Sequence, residues 1–130
     1  MSTPLTGFNL LQSRVLFPSA ARAVAQAYTS GDQNGENIDF IHVIIDITAV
    51  TATPAITVKI QGKDPASGKY YDILVSTALA VVATTVLKVG PGLPVAANLS
   101  ANDIVPSTWR VIATHGDTDS ATYSIGANYG

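Results

Sequence analysis

Apolar and polar positions alternate with a period of two through most of the chain. Over residues 40–49, Ile41, Val43, Ile45 and Ile47 share one parity, while His42, Asp46 and Thr48 occupy the other. In an extended backbone this sends one set to a core and the other toward solvent. Thr51-Ala52-Thr53-Pro54 interrupts the pattern, and residues 55–61 resume it, with Ile56, Val58 and Ile60 set against Thr57, Lys59 and Gln61. Residues 62–68 form a turn-rich connection, where Asp64-Pro65 starts a turn and Gly68 is free to take positive φ. Beyond it, Tyr71, Ile73 and Val75 alternate with Tyr70, Asp72 and Leu74. These three segments predict an antiparallel meander.

A further short strand is predicted at 86–89, closed by Gly90-Pro91-Gly92-Leu93-Pro94, whose prolines cannot continue a ladder. The apolar, Ala-rich stretch 76–84 fits either a short helix or an irregular excursion into that strand. Over 108–114, Trp109, Val111 and Ala113 alternate with Arg110, Ile112 and Thr114; after the polar stretch 115–120, Ala121, Tyr123 and Ile125 alternate again. The pair predicts a β-hairpin. Residues 20–28 carry helix-forming alanines, yet Ala23, Ala25 and Ala27 share one parity between Pro18 and Gly31, which favours a strand. Ahead of them, Phe8, Leu10, Leu11, Val15, Leu16 and Phe17 make an apolar segment broken by Asn9, Gln12, Ser13 and Arg14. It reads as an edge strand or as an arm that docks on a neighbouring subunit.

Seven or eight short strands at roughly 8–12-residue spacing, with Gly- and Pro-rich turns, predict an all-β fold: an antiparallel β-sandwich or jelly roll. Residues 1–19 are its N-terminal arm or edge segment, and 20–130 a single sandwich domain. Parallel strands would need helical crossovers, for which no segment is long enough. Val, Ile and Thr make 38 of the 130 residues, and their stiff β-branched side chains suit strands.

Composition adds one unusual fact. The chain has seven basic and nine acidic residues, 12% charged in all against 47% apolar, where an ordinary domain carries about 25% charged residues. A folded chain of 13.5 kDa exposes about 6,500 Å², so charges are spread at roughly one per 400 Å². Either Thr, Ser and Asn supply the polar surface, or part of that surface is covered by other protein, since charge depletion marks interface cores. A net charge of −2 offers no field for polyanions, so nucleic acid is not an expected partner. No apolar run approaches the ~18 residues of a spanning helix, and Met1-Ser2-Thr3-Pro4 opens no basic, then apolar, secretory leader.

The chemistry on offer is sparse. The chain has no cysteine, which removes disulfides, thiolate metal sites and cysteine nucleophiles. His115-Gly116-Asp117-Thr118-Asp119 holds metal-type ligands, but Asp is equally an ordinary turn residue, and the stretch reads as a loop. Residues 31–37 lack the ligand order and the twelfth-position glutamate of a calcium loop. No Gly-x-Ser-x-Gly elbow, facing carboxylate pair or phosphate-cradling loop occurs, and His42 and His115 are the only imidazoles. The expectation is a chain with no catalytic residues, metal or cofactor. Trp109 reads as core-facing by its parity with Val111; exposed beside Tyr70 or Tyr71, it would instead stack on a sugar ring.

Four segments stand out together: residues 56–74 (Ile56-Thr57-Val58-Lys59-Ile60-Gln61-Gly62-Lys63-Asp64-Pro65 and onward through Ser67-Gly68-Lys69-Tyr70-Tyr71 to Leu74), Leu87-Lys88-Val89-Gly90-Pro91-Gly92-Leu93, Pro106-Ser107-Thr108-Trp109-Arg110-Val111, and Asp119-Ser120-Ala121-Thr122-Tyr123-Ser124-Ile125-Gly126. Taken together they resemble small structural proteins of tailed-bacteriophage particles. The likeness covers about residues 20–127 and rests on strands and turns. It implies a head decoration, or cement, protein on the capsid surface of a virion assembled in the host cytoplasm. Its partners would be the major capsid protein and further copies of itself, as a homotrimer or homodimer, without nucleic acid or membrane. No catalytic or ligand residues carry over. The expected contact residues are Phe8, Leu10, Leu11, Arg14, Val15, Leu16 and Phe17. Two other readings stand beside this one: a tail, neck or fibre module of the particle, and a carbohydrate-binding sandwich.

Overall fold

The structure, a computed structural model, describes residues 11–130. Ten strands run in chain order: β1 (Gln12–Arg22), β2 (Ala27–Thr29), β3 (Gln33–Asn34), β4 (Ile41–Val50), β5 (Ile56–Lys63), β6 (Tyr70–Val75), β7 (Ala83–Val89), β8 (Ser100–Ala101), β9 (Thr108–His115) and β10 (Ala121–Tyr129). No helix occurs among the described residues. Setting aside the two-residue β3 and β8, the strands pair as nested antiparallel couples: β1 with β10, β2 with β9, β4 with β7, β5 with β6. Pairing of β10 with β4 and of β9 with β5 joins the couples into two sheets, β1-β10-β4-β7-β8 and β2-β9-β5-β6. Nested antiparallel pairs rolled into two facing sheets make the expected all-β sandwich a jelly roll.

The period-two pattern does what it predicted within β4, β5, β9 and β10. Ile41, Val43, Ile45 and Ile47 of β4 face Ile56, Val58 and Ile60 of β5 and Trp109, Val111 and Ala113 of β9 across one core, all but free of solvent. Tyr123 and Ile125 of β10 and Leu87 and Val89 of β7 complete it. Each such aliphatic side chain removed from water contributes roughly 1.5–3 kcal/mol before the entropy cost of folding is set against it.

Partner choice differs from the local expectation in three places. The segments β4, β5 and β6 are not a meander: β4 lies in one sheet, and β5 pairs with β6 and β9 in the other. Likewise β9 and β10 are not a hairpin but belong to opposite sheets. The two connections are arches that step from sheet to sheet, about 10 Å apart in such sandwiches, and they brace each other. Thr51 N–H donates to Ser120 O (2.8 Å), Gly116 N–H to Ala55 O (2.8 Å) and Thr53 N–H to the Asp119 carboxylate (3.2 Å). Pro54, which has no N–H, and Ala52, at φ 57°, keep the first arch from continuing as a ladder. Third, the segment 20–28 is extended but not one strand, since a bend at 23–26 carries the chain from β1 in one sheet to β2 in the other.

Smaller features follow from the same register. Residues 76–82 form an irregular excursion, tied to β5 by reciprocal bonds between Leu79 and Ile56. In β6 the ladder jumps from Leu74 opposite Ile60 to Asp72 opposite Gln61, so Ile73 bulges and Leu74 is the buried residue. Gly68 takes φ 76° in the turn before β6, as expected.

Candidate functional site

The two outer faces of the sandwich are chemically unlike. On the sheet β2-β9-β5-β6, charged groups are arranged to satisfy one another. Lys59 pairs with Asp72 (3.4 Å), Gln61 donates to Asp72 (2.8 Å), and Arg110 donates to Gln61 (2.8 Å). The Arg110 guanidinium lies 3.5 Å from the centre of the Tyr70 ring, and the Tyr70 hydroxyl donates to Asp32 (2.6 Å), which also receives Lys63 (3.0 Å). The hydrogen bonds from Tyr70 and then Lys63 hold the Asp32 carboxyl below its usual range, and Asp32 in turn raises Lys63. The network is solvent-exposed, so its contribution to stability is small. Asp32 is thereby engaged in place, and Asn34 Oδ1 accepts the Glu36 N–H (2.8 Å), so of the stretch 31–37, expected to be a polar turn, Gln33 and Asn34 form β3 and the turn is confined to Glu36 and Asn37.

The opposite sheet presents a row of small and apolar residues in direct register: Val15 beside Gly126, Gly126 beside Ile44, Ile44 beside Val86. Gly126 carries no side chain between its neighbours, leaving a shallow dent lined by Ser13, Val15, Ile44 and Asn128. A second depression, of about 680 Å³, lies past the ends of β1 and β10 and is walled by Leu11, Phe40, His42 and Tyr129. The Phe40 ring rests against the bare backbone of Gly90. Further large apolar side chains stand in solvent at Val81 and Val82 before β7, and at Val95, Leu99 and Ile104 between β7 and β9.

The expected contact segment divides along its length. Phe8 and Leu10 lie outside the described residues. Leu11 is 89% exposed and Val15 69% exposed, on the free edge of the sheet. Arg14 is exposed but turned across the mouth of the sandwich, its guanidinium 3.3 Å from Gln33 Oε1. Leu16, half-buried, leans on the core. Phe17 is a correction: only 4% exposed, it packs inside this chain's own core opposite Ile125, so its ring is not available to another subunit. The cause is the bulge after Val15, which shifts the register by one and swings Phe17 inward. The apolar residues at 40, 81, 82, 95, 99 and 104 were not singled out from sequence. For Val81, Val82 and Val95 the signal was there in apolar residues placed among Pro and Ala with no period-two partners.

His115 does not gather with Asp117 and Asp119. Its ring turns inward, Nε2 lying 2.7 Å from the Tyr123 hydroxyl, while Asp117 accepts the Asp119 N–H (3.0 Å) within the loop. Burial first, then the nearby Arg22 charge, lower the His115 pKa, against the pull of Asp117. Among the described residues no three His, Cys, Asp or Glu side chains stand as a metal-binding group. Trp109 is fully buried, edge-on to Tyr129, and offers no surface for a sugar. Tyr70 is capped by Arg110.

No protein-family model matches the chain, and no curated protein matches it. Among solved structures it is similar to a chain described as the structure of infectious bursal disease virus, Gx strain, at 8% identity and a TM-score of 0.38. The match covers 92% of this chain, which spans 32% of that one.

Proposed function

We propose that the protein is a non-enzymatic structural component of a tailed-bacteriophage particle: a decoration protein that binds across major capsid protein subunits on the head and holds them together. The observation that carries this reading is the distribution of its surface chemistry. The charges on one sheet are paired with each other, while Leu11, Val15, Val81, Val82, Val95 and Ile104 stand in solvent. Exposed apolar groups on a ground that carries few charges, Asp46 and Lys88 among them, mark a surface that other protein covers. The sequence resemblance to phage structural proteins points the same way. A jelly roll serves viral shells, lectins and cupins alike, so the fold alone does not choose among them. The burial of Trp109 weighs against the carbohydrate-binding alternative.

The test is to add the purified protein to phage heads stripped of it. Co-sedimentation at high copy number and a raised rupture temperature are expected. Attachment at only a few copies per particle would move the protein to the tail or neck, and binding to glycans in place of heads would overturn the proposal.

A further inference from the structure

The free edge of β1 is built to pair with itself. We propose that two copies of this chain join antiparallel through residues 11–15, making one sheet that runs through both molecules. The inference is independent of the virion reading and concerns the chain alone.

The ladder tells which backbone groups are free. Phe40 and Gly130 exchange both of their hydrogen bonds (3.0 and 3.2 Å). Antiparallel pairs alternate between bonded and non-bonded. Residues 128 and 126 therefore bond toward β4, and 129 and 127 toward β1, where they meet Gln12 and Arg14. This leaves Ser13 and Val15 with N–H and C=O directed away from the sheet, and Leu11 continues the same parity. β1 has no other strand partner among the described residues.

β8, β2 with β3, and β6 carry devices that keep strands from pairing, whereas β7 meets β8 only at Lys88 and Val89 and has no other strand on that side among the described residues. β8 is two residues long, β2 and β3 are separated by Ser30–Asp32, and β6 is bulged, with Val75 O taken by the Asn98 side chain (2.9 Å). The second half of β1 is protected as well, by Pro18 and two register shifts. Residues 11–15 lack these features, and their one charge, Arg14, is directed across the sandwich to Gln33.

The occupant is set by symmetry. With Ser13 opposite Ser13 of a second copy, the free groups of Leu11 meet those of Val15 of that copy, and the reverse, so every outward pair is a bonded pair. Ser13 and Val15 stand opposite Asn128 and Gly126 on the outer face. The match thus lays each Leu11 beside a Val15, with no charge on that face of the seam. A two-fold contact of this kind is self-complementary and covers the two most solvent-exposed apolar side chains of the segment.

The experiment is light scattering on the full chain across a concentration series. The mass should rise from 13.5 kDa toward twice that value. Ser13→Pro removes an outward N–H at an edge position and should abolish the rise while leaving the melting temperature unchanged; Val15→Lys should also abolish it by setting a charge where the seam lays Val15 beside Leu11 of the second copy. A wild-type mass that stays at one chain, a rise to three, or a rise that both variants retain would overturn the proposal. If Ser13→Pro itself lowers the melting temperature, Val15→Lys decides.

Discussion

The His115 imidazole and the Tyr123 hydroxyl, 2.7 Å apart, form a buried hydrogen bond between β9 in one sheet and β10 in the other. Around them, Arg22 donates to Tyr123 O and Pro18 O (both 2.7 Å) and lies 4.6 Å from the centre of the Tyr123 ring. His115 Nδ1 has no partner, so in the doubly protonated ring the Nδ1–H would lack an acceptor, and the charge would lie near Arg22.

Acid should therefore destabilise the protein in a definite window. The folded chain holds His115 below its ordinary 6.5, so the unfolded chain takes up the proton first as pH falls through 6.5. Stability is full above that pH and declines until the lowered folded pKa is passed. Melting temperature measured from pH 7.5 to 4.5 should fall. The double substitution His115→Phe, Tyr123→Phe should flatten this limb, because both polar partners are removed together. A limb unchanged in the double variant would refute the assignment.

At high pH the tyrosine is the sensitive partner. Burial pushes the Tyr123 hydroxyl up to about 12, so the folded chain keeps a proton that the unfolded chain gives up near 10. Stability should be lost as pH rises from 10 through 12. Tyr123→Phe should lessen that loss yet lower stability at pH 7 by about 1–3 kcal/mol, since it strands His115 Nε2. Denaturant melts at the two pH values separate the effects.

Arg22 ties β1 to β10 with a planar fork, which lysine cannot reproduce. Arg22→Lys should cost about 1–2 kcal/mol in urea melts. Arg22→Gln should in addition make the acid limb shallower, because the charge that depresses His115 is gone. An acid limb identical to wild type would show that burial alone sets it.

Trp109, the single tryptophan, is fully buried and should emit at short wavelength, shifting red on unfolding. Trp109→Ala should cost about 3–5 kcal/mol through the cavity it leaves. Trp109→Phe should cost less, because it also removes an indole N–H that has no partner. Ready quenching by acrylamide in the native protein would contradict this placement.

Two glycines should respond in opposite ways. A methyl group on Gly35 would collide with the Pro106 carbonyl and meet the Trp109 ring at 3.0 Å, so Gly35→Ala should cost about 1–3 kcal/mol as backbone shifts to make room. At Gly116 the nearest atoms are those of Ala55, at 3.5 and 3.6 Å. Gly116→Ala should therefore stay within about 0.5 kcal/mol of wild type by thermal melt.

The inward faces of β4, β5 and β9 were legible because alternation is a local property: each extended residue points opposite to the one before it. The buried side of β6 was not, because the bulge at Ile73 reverses parity midway and only pairing to β5 reveals it. Phe17 escaped for the same reason. The apolar surface was half-legible: Leu11 and Val15 stood out by their neighbours in the chain, whereas Ile44 and Val86 become a patch only when β4, β7 and β10 lie side by side.

By itself, then, the order of residues determined the all-β class, where most of the turns between strands fall, and which side of most strands meets the core. Tertiary structure decided which strands are neighbours. A side chain's parity names the face it seeks but not the strand beside it, and a polar five-residue connection can close a hairpin or arch between two sheets. Arching instead of turning back sets β4 in one sheet and β5 in the other, so Ile45 and Ile47 share a core with Ile56 and Val58 across the sandwich and are not their ladder partners.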